Sequence, residues 1–250
     1  MIFKYFIIGL IQGFTEFLPI SSSGHIVLFG EIFNINCDIV LLSVIAHLGT
    51  LFAVLFCMRK KVFQLIKKPF STTSLNLIIA TIPAVLAVLI FNNLIDKLYG
   101  LHFLIYGFLI TGILLTVADL VKSKYGFINK KSSLFMGIMQ AVAILPGISR
   151  SGSTMAVGML SGVKKEEACE FSFLMSIPII IGSAIWECLG LFNNNITINL
   201  LPLLIAFVTS FVFGILSIKL MLKIVKSNKL FVFSIYTVIL SILILIYVLN

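Results

Sequence analysis

The sequence predicts an all-α polytopic membrane protein with six transmembrane helices and two re-entrant helix-loop-helix segments. Of its 250 residues, 60% are apolar and 11% are charged, and the mean hydropathy is +1.18. Soluble proteins carry about 25% charged residues, and a soluble core of this size cannot bury so many apolar side chains. The composition therefore excludes a disordered chain, a disulfide-stapled secreted domain and a nucleic-acid-binding domain.

Six apolar runs are long enough to cross a bilayer, for which about 20 residues suffice. They cover residues 39–58, 75–95, 101–121, 171–192, 200–222 and 230–249. Each run is free of charge through its middle and is therefore predicted to form one transmembrane helix.

Two further apolar runs are interrupted in their middles. Residues 1–30 contain Pro19 followed by a Ser-Ser-Ser-Gly run, and residues 134–162 contain Pro146 and Gly147 followed by a Ser-Arg-Ser-Gly run. Because proline and clustered glycine and serine break helices, neither run can be one continuous helix.

Lysine and arginine collect in four connections, which predicts that these connections lie on the inner side of the membrane. They are residues 59–68, 122–131, 164–165 and 219–229. The connections at 31–38, 92–100 and 193–199 hold one lysine among them and are predicted to lie outside. Given these locations of the connections, residues 134–162 begin and end on the inner side. This run is therefore predicted to enter the membrane and return to the same side.

The two interrupted runs are related by an internal repeat. When the chain is compared with itself after a shift of 128 residues, six positions carry identical residues. These pairs are Gly9 and Gly137, Gln12 and Gln140, Ser21 and Ser149, Ser23 and Ser151, Gly24 and Gly152, and Gly30 and Gly158. The chain is thus predicted to be one domain, 1–250, with repeats at about 1–125 and 130–250.

Each repeat holds an interrupted run and three spans. Because three is odd, the repeats are predicted to be inverted, the first run dipping from outside and the second from inside.

Three ionisable residues, Glu16, His25 and Arg150, fall within the interrupted runs. A charge at the membrane centre costs about 2.5–3.5 kcal/mol, so each needs a partner or a watery cavity. Hydroxyl side chains surround them, namely Ser21, Ser22, Ser23, Ser149, Ser151, Ser153 and Thr154. A guanidinium fork beside hydroxyls and glycines suits a phosphate, so the pattern predicts phosphoryl transfer rather than peptide or ester hydrolysis.

Each residue type in this set has a role in that chemistry. Glu16 can hold a hard divalent cation, with Gln12 one helical turn earlier as a neutral oxygen ligand. The nucleophile is a serine or an activated water, and His25, three residues after Ser22, can serve as base, acid or nucleophile.

Simpler interpretations of three residues stay open. Glu16 could be a boundary residue whose carboxylate snorkels to the membrane surface, and Arg150 could pair with Glu16 only as a structural ion pair. His47, within the span 39–58, is equally compatible with a core histidine and with one that lines a pocket.

Two segments resemble the signatures of one family. Residues 12–25 (QGFTEFLPISSSGH) resemble (E/Q)xxxE-FLPxSSxGH, and residues 146–154 (PGISRSGST) resemble PGxSRSGxT, the signatures of the undecaprenyl-diphosphatase family of bacitracin-resistance membrane phosphatases. The resemblance covers essentially the whole chain. It implies a multi-pass enzyme of the bacterial cell membrane that hydrolyses undecaprenyl diphosphate at the outer face and so recycles the lipid carrier of peptidoglycan synthesis.

The resemblance also implies site residues. The family's essential groups fall on Glu16, Ser22, His25 and Arg150, and the hydroxyls expected to bind the substrate phosphates are Ser21, Ser23, Ser149, Ser151 and Thr154. Family members use Mg²⁺ or Ca²⁺. Many have glutamate where this chain has Gln12, so a single-carboxylate site formed by Glu16 and Gln12 is expected here. We expect Ser22 to attack the terminal phosphorus with His25 assisting; the alternative is His25 as the nucleophile.

The expected partners are a polyprenyl diphosphate and membrane lipids, without nucleic acid, and the sequence leaves a homodimer open. The alternative function is a secondary transporter or a flippase for a polyprenyl phosphate, because inverted repeats with broken helices are typical of transporters. The two repeats contribute different ionisable residues, which favours an enzyme. A transporter that alternates access to one site has less reason to divide its charged groups unequally between the repeats.

Overall fold

The computed structural model describes residues 2–32, 39–98, 100–121, 126–191, 200–227 and 229–249. These residues form eleven helices, which are α1 (Ile2–Phe17), α2 (Ser22–Ile32), α3 (Ile39–Cys57), α4 (Arg59–Lys67), α5 (Thr72–Lys97), α6 (Leu101–Leu120), α7 (Lys130–Val142), α8 (Arg150–Leu160), α9 (Lys165–Leu191), α10 (Leu200–Lys226) and α11 (Phe231–Leu249). The prediction of an all-α protein is confirmed.

The predicted spans are observed as helices. Helices α5, α6, α9, α10 and α11 are each long and apolar enough to cross a membrane. Helix α3 has 19 residues and meets the same requirement together with α4, which it joins at an angle of 83°. The described residues therefore hold five spans, or six when α3 and α4 are counted as one broken span, as expected for a polytopic membrane protein.

Helix α5 extends two or three residues beyond its predicted run at each end, and two helices extend further beyond theirs. Helix α9 begins at Lys165, before the predicted start at residue 171, and carries Glu166 and Glu167 in its first turn. Helix α10 continues to Lys226, with Lys223 also in its last turn. Carboxylates stabilise a helix N-terminus and ammonium groups a C-terminus, so both helices continue past their apolar parts. The predicted end of the fourth span, residue 192, lies outside the described residues.

Each interrupted run forms two short helices. Residues 1–30 give α1 and α2, and residues 134–162 give α7 and α8. These helices have 16, 11, 13 and 11 residues. Even the longest measures only about 24 Å, less than the roughly 30 Å of a bilayer core. The predicted interruptions are confirmed, and the side from which each pair enters the membrane stays a prediction.

The two breaks are built alike. Ser21 has a φ of 67° and Gly147 a φ of 85°, in the left-handed region that favours glycine. The amide of Gly24 donates a hydrogen bond to Ser21 Oγ over 3.3 Å, and the amide of Gly152 donates to Ser149 Oγ over 3.1 Å. Each serine thus satisfies an N–H group that the start of a helix leaves unpaired.

Each half of the chain packs its first helix against the other half. Helix α1 lies along α10, and α7 lies along α5. A Cβ on Gly9 would stand 2.6 Å from the carbonyl oxygen of Ala206, and a Cβ on Gly137 would stand 2.6 Å from that of Ala80. The 128-residue shift pairs these two glycines; the repeat itself stays a prediction.

Three of the lysine-rich connections meet at one end of the helices. The amide of Lys164 donates to the carbonyl oxygen of Gly126 over 2.9 Å, and Lys61 forms an ion pair with Glu170 near the start of α9. We call this region the lysine-rich end.

Gly137→Ala is expected to destabilise the protein, because its methyl group would collide with the backbone of Ala80. Overpacking of this kind costs about 1–3 kcal/mol, so the melting temperature of the detergent-purified protein should fall by several degrees. Gly182→Ala is the matched control, since a Cβ on this helical glycine meets no atom within 4 Å. Equal melting temperatures of the two variants would contradict a tight contact between α5 and α7.

Candidate active site

The predicted catalytic residues lie where the two breaks meet. Glu16 is near the end of α1, Ser22 begins α2 and Arg150 begins α8. A Cβ on Gly152 would stand 2.7 Å from Cβ of Pro19, so the start of α8 packs against the first break. The N-termini of α2 and α8 are therefore neighbours, and the partial positive charge of both favours an anion between them.

Glu16 is the centre of the site. The residue is 6% exposed, and its Oε1 forms an ion pair with the guanidinium of Arg150. Its Oε2 accepts a hydrogen bond from the hydroxyl of Ser22 over 2.8 Å and another from the side-chain amide of Gln12 over 2.9 Å. Three of the four predicted catalytic residues thus form one network with the predicted second metal ligand.

This network bears on the simpler interpretations of the sequence. Glu16 is buried and does not snorkel to a membrane boundary. Its ion pair with Arg150 does form, as the structural interpretation expects. However, the hydroxyl of Ser22 and the amide of Gln12 converge on the same carboxylate, which is more than a two-residue ion pair requires.

His25 belongs to a second group, which α11 completes with Tyr236. Nδ1 of His25 lies 2.7 Å from the carbonyl oxygen of Ser21, and Nε2 lies 2.6 Å from the hydroxyl of Tyr236. Because a carbonyl oxygen only accepts, Nδ1 carries the hydrogen of the neutral ring, and Nε2 accepts from the tyrosine hydroxyl. The two rings are nearly parallel, at 7° and 5.8 Å between centroids. The hydrogen-bonding roles of both ring nitrogens of His25 are therefore set, with Nδ1 as donor and Nε2 as acceptor.

Two site residues were outside the predicted set, His47 and Tyr236. Nε2 of His47 lies 3.9 Å from Glu16 Oε2, so this histidine lines the site. Its signal in the sequence is an ionisable ring within an apolar span. Tyr236 has no such signal, because nothing in the last span distinguishes it from Tyr247. The side chain of His47 is 27% exposed and Tyr236 is 42% exposed, so the site is open on their side.

Most hydroxyls predicted to bind phosphate have partners within the protein. The buried ones are Ser21, Ser149, Ser151 and Thr154, whereas Ser23 is half-buried. Ser21 and Ser149 accept from amides at the starts of α2 and α8. Ser151 donates to the carbonyl oxygen of Leu18 over 3.0 Å, and Thr154 donates to that of Arg150 over 2.7 Å. The bond of Ser151 joins the two breaks, whereas those of Ser21, Ser149 and Thr154 are local to one helix start. Phosphate binding by these hydroxyls stays a prediction.

Gln12 and Glu16 are the residues that would hold the predicted metal ion. Gln12 is fully buried, and its Oε1 has no hydrogen-bond partner. An unpaired amide oxygen beside a carboxylate is a donor set that suits Mg²⁺ or Ca²⁺. No three His, Cys, Asp or Glu side chains among the described residues form a metal-binding group. The residues thus fit a single-carboxylate site, in which substrate phosphates or water would provide the other ligands.

Known proteins are similar to this chain over nearly its whole length. The family model for bacitracin resistance protein BacA matches residues 5–243. An undecaprenyl-diphosphatase of Carboxydothermus hydrogenoformans is 38% identical over 251 residues, which cover 98% of this chain and 96% of the relative. The corresponding protein of Thermosipho africanus is 38% identical, covering 96% of this chain and 98% of the relative. Undecaprenyl-diphosphatase 4 of Bacillus thuringiensis subsp. konkukian is 39% identical, covering 96% of this chain and 95% of the relative.

The family model spans nearly the whole chain, and the relatives align with it over almost their full lengths. Both observations agree with the two signature segments, whose residues form the network around Glu16. The chain therefore belongs to the bacitracin resistance protein BacA family.

Proposed function

We propose that this chain hydrolyses undecaprenyl diphosphate to undecaprenyl phosphate and inorganic phosphate. Its relatives are named for this diphosphate. The observation that carries the proposal is the meeting of Arg150 and Ser22, each at the start of a helix, on the carboxylate of Glu16. A guanidinium, a hydroxyl and a carboxylate at one point are groups that hydrolysis of a phosphoanhydride uses.

Arg150 would bind the phosphate groups of the substrate. Its planar guanidinium matches two phosphate oxygens at once, and the N-termini of α2 and α8 add partial positive charge. The formal charges of Arg150 and Glu16 cancel, which supports a requirement for an additional cation. Gln12 and Glu16 would hold Mg²⁺ or Ca²⁺, which neutralises charge on the diphosphate when bound.

Ser22 would be the nucleophile. Its hydroxyl donates to Glu16 Oε2, so Glu16 can accept the proton as the bond from Ser22 Oγ to the terminal phosphorus forms. The bond from phosphorus to the bridging oxygen breaks, and undecaprenyl phosphate leaves. Water then attacks the phosphoserine, the bond from Ser22 Oγ to phosphorus breaks, and Oγ takes its proton back from Glu16. This releases inorganic phosphate and restores both residues.

His25 would act as the base for this water through Tyr236. The Tyr236 hydroxyl passes its hydrogen to Nε2 of His25 while it takes one from the attacking water. The resulting imidazolium keeps both N–H groups paired, one with the Ser21 carbonyl and one with the Tyr236 oxygen. For His25 to be the nucleophile, Nε2 would have to leave Tyr236, so the geometry favours Ser22.

The reaction would take place at the outer face of the bacterial cell membrane. The polytopic fold supports a membrane location, and the predicted dip of the first interrupted run from the side opposite the lysine-rich connections supports the outer face. There the enzyme would recycle the lipid carrier of peptidoglycan synthesis and so confer resistance to bacitracin.

Detergent-purified protein is expected to release inorganic phosphate from undecaprenyl diphosphate in the presence of Mg²⁺ or Ca²⁺. Arg150→Ala should lower kcat/KM by about 10²–10³-fold, because the transition state loses a charged donor. Glu16→Ala and His25→Ala should also lose most activity. Arg59→Ala is the matched control, since this arginine is exposed on α4. Undiminished activity of all three site variants, or movement of a polyprenyl phosphate between leaflets without phosphate release, would overturn the proposal.

Gln12→Glu is expected to lower the cation concentration that gives half-maximal activity by about tenfold, because the site gains a second carboxylate. Without cation the variant should be less active than the native protein, since the two carboxylates repel and the bond from the Gln12 amide to Glu16 is lost. Titration of phosphate release with Mg²⁺ measures both effects. Gln64→Glu, at an exposed position of α4, is the control. Identical cation dependence in the native protein and Gln12→Glu would refute the assigned metal ligands.

Tyr236→Phe is expected to lower kcat by about 10²-fold with little change in KM. His25 would lose the hydroxyl through which it takes a proton from water, while substrate binding is kept. The pH dependence of kcat should change as well, which a purely structural defect would not cause. Tyr247→Phe, on the same helix and 60% exposed, is the control. Native kcat and pH dependence in Tyr236→Phe would exclude the proposed relay.

A further inference from the structure

Helix α4 lies across the other helices. It joins α3 at an angle of 83°, and none of its residues is buried. Because α3 by itself fills the predicted span at residues 39–58, a helix turned by 83° from it runs nearly parallel to the membrane surface. It lies at the lysine-rich end, where Lys61 pairs with Glu170.

Helix α4 presents an apolar face that the protein does not cover. Phe63 is 57% exposed and Ile66 is 72% exposed, and Phe70, just after the helix, is 87% exposed. Val62 and Leu65, by contrast, pack against the core. The rest of the exposed surface of α4 is polar and basic, with Lys60, Lys61, Gln64 and Lys67. Lys67 borders the apolar face, since its Nζ lies 4.6 Å from the centroid of the Phe63 ring. A basic amphipathic helix of this kind is typical of the interface with an anionic leaflet.

A cavity of about 540 Å³ lies in the elbow between α4, α5 and α9. Its lining includes Lys61, Lys67 and Lys68 and one carboxylate, that of Glu167. Since Lys61 is already paired with Glu170, Lys67 and Lys68 leave the elbow with net positive charge. Helix α5 begins at Thr72, which also lines the cavity, so the partial positive charge of its N-terminus adds to that of the lysines.

Asn76 provides an independent sign of a ligand in this cavity. Asn76 lines the cavity and is only 1% exposed, yet its Oδ1 has no hydrogen-bond partner. Its Nδ2 is occupied by the carbonyl oxygen of Ile128. A buried oxygen without a donor is unfavourable, so a ligand that carries a hydroxyl would satisfy it.

We propose that this elbow binds an anionic phospholipid of the leaflet at the lysine-rich end. Lys67, Lys68 and the N-terminus of α5 hold its phosphate, and a headgroup hydroxyl donates to Oδ1 of Asn76. The exposed apolar face of α4 inserts among the neighbouring acyl chains. Phosphatidylglycerol has the required net charge and hydroxyls, whereas phosphatidylcholine has neither. The cavity lining shares no residue with the network around Glu16, and the proposal does not depend on the proposed hydrolysis.

Tryptophan quenching in lipid nanodiscs tests this proposal. The chain has one tryptophan, so Phe63→Trp in a Trp186→Phe background reports from α4 alone; Phe70→Trp is the second reporter. At equal fractions in phosphatidylcholine, brominated phosphatidylglycerol should quench the reporter more strongly than brominated phosphatidylcholine. The double variant Lys67→Gln/Lys68→Gln should weaken this preference for phosphatidylglycerol by about fivefold for each lysine removed. High salt should reduce it as well.

Lys223→Gln/Lys226→Gln is the matched control, because it removes two exposed lysines outside the elbow and should keep the preference. Phosphatidylmethanol, an anionic lipid without a headgroup hydroxyl, should quench less than phosphatidylglycerol if Asn76 Oδ1 accepts from that hydroxyl. Equal quenching by phosphatidylglycerol and phosphatidylcholine would overturn the proposal, and so would an equal loss in both lysine pairs. Displacement of phosphatidylglycerol by inorganic phosphate would show a site for the free anion instead.

Discussion

The buried ion pair between Glu16 and Arg150 is the contact on which the site depends. A charge at membrane depth is costly, and removing one partner of a buried pair leaves the other uncompensated at a cost of about 3–5 kcal/mol. Glu16 comes from the first half of the chain and Arg150 from the second. The site therefore exists only when the two halves interlock through α1 on α10 and α7 on α5.

The residues that break the helices also build the site. Ser21 and Ser149 bond to amides at the starts of α2 and α8, and Ser151 bonds to the backbone of the opposite break. Glycines allow backbone contacts too close for any side chain, as Gly137 does against Ala80. These serine hydrogen bonds fix the backbone at the helix starts that carry Ser22 and Arg150, the two residues that contact Glu16.

The charges of this protein fall into two groups with different physical roles. A few lie buried between the breaks, where a medium of low polarity strengthens their interactions with one another and with a phosphate. Three of the lysine-rich connections meet at the lysine-rich end, where charge favours contact with anionic lipid over contact with the membrane interior. This separation explains how a chain with net charge +9 keeps a site whose own pair is neutral.

The sequence by itself determined the all-α class, the spans, both breaks and the choice of Glu16, Gln12 and Arg150 as candidate site residues, because run length, helix breaking and the cost of buried charge are local properties. Only the tertiary structure decided the partners. It joined Ser22 to Glu16, placed Tyr236 on His25 across 211 residues, turned α4 by 83° and used most of the predicted phosphate-binding hydroxyls for backbone contacts. The reason is physical: which side chains meet depends on how helices distant in the chain pack, and the pattern along one helix carries no information about its neighbour.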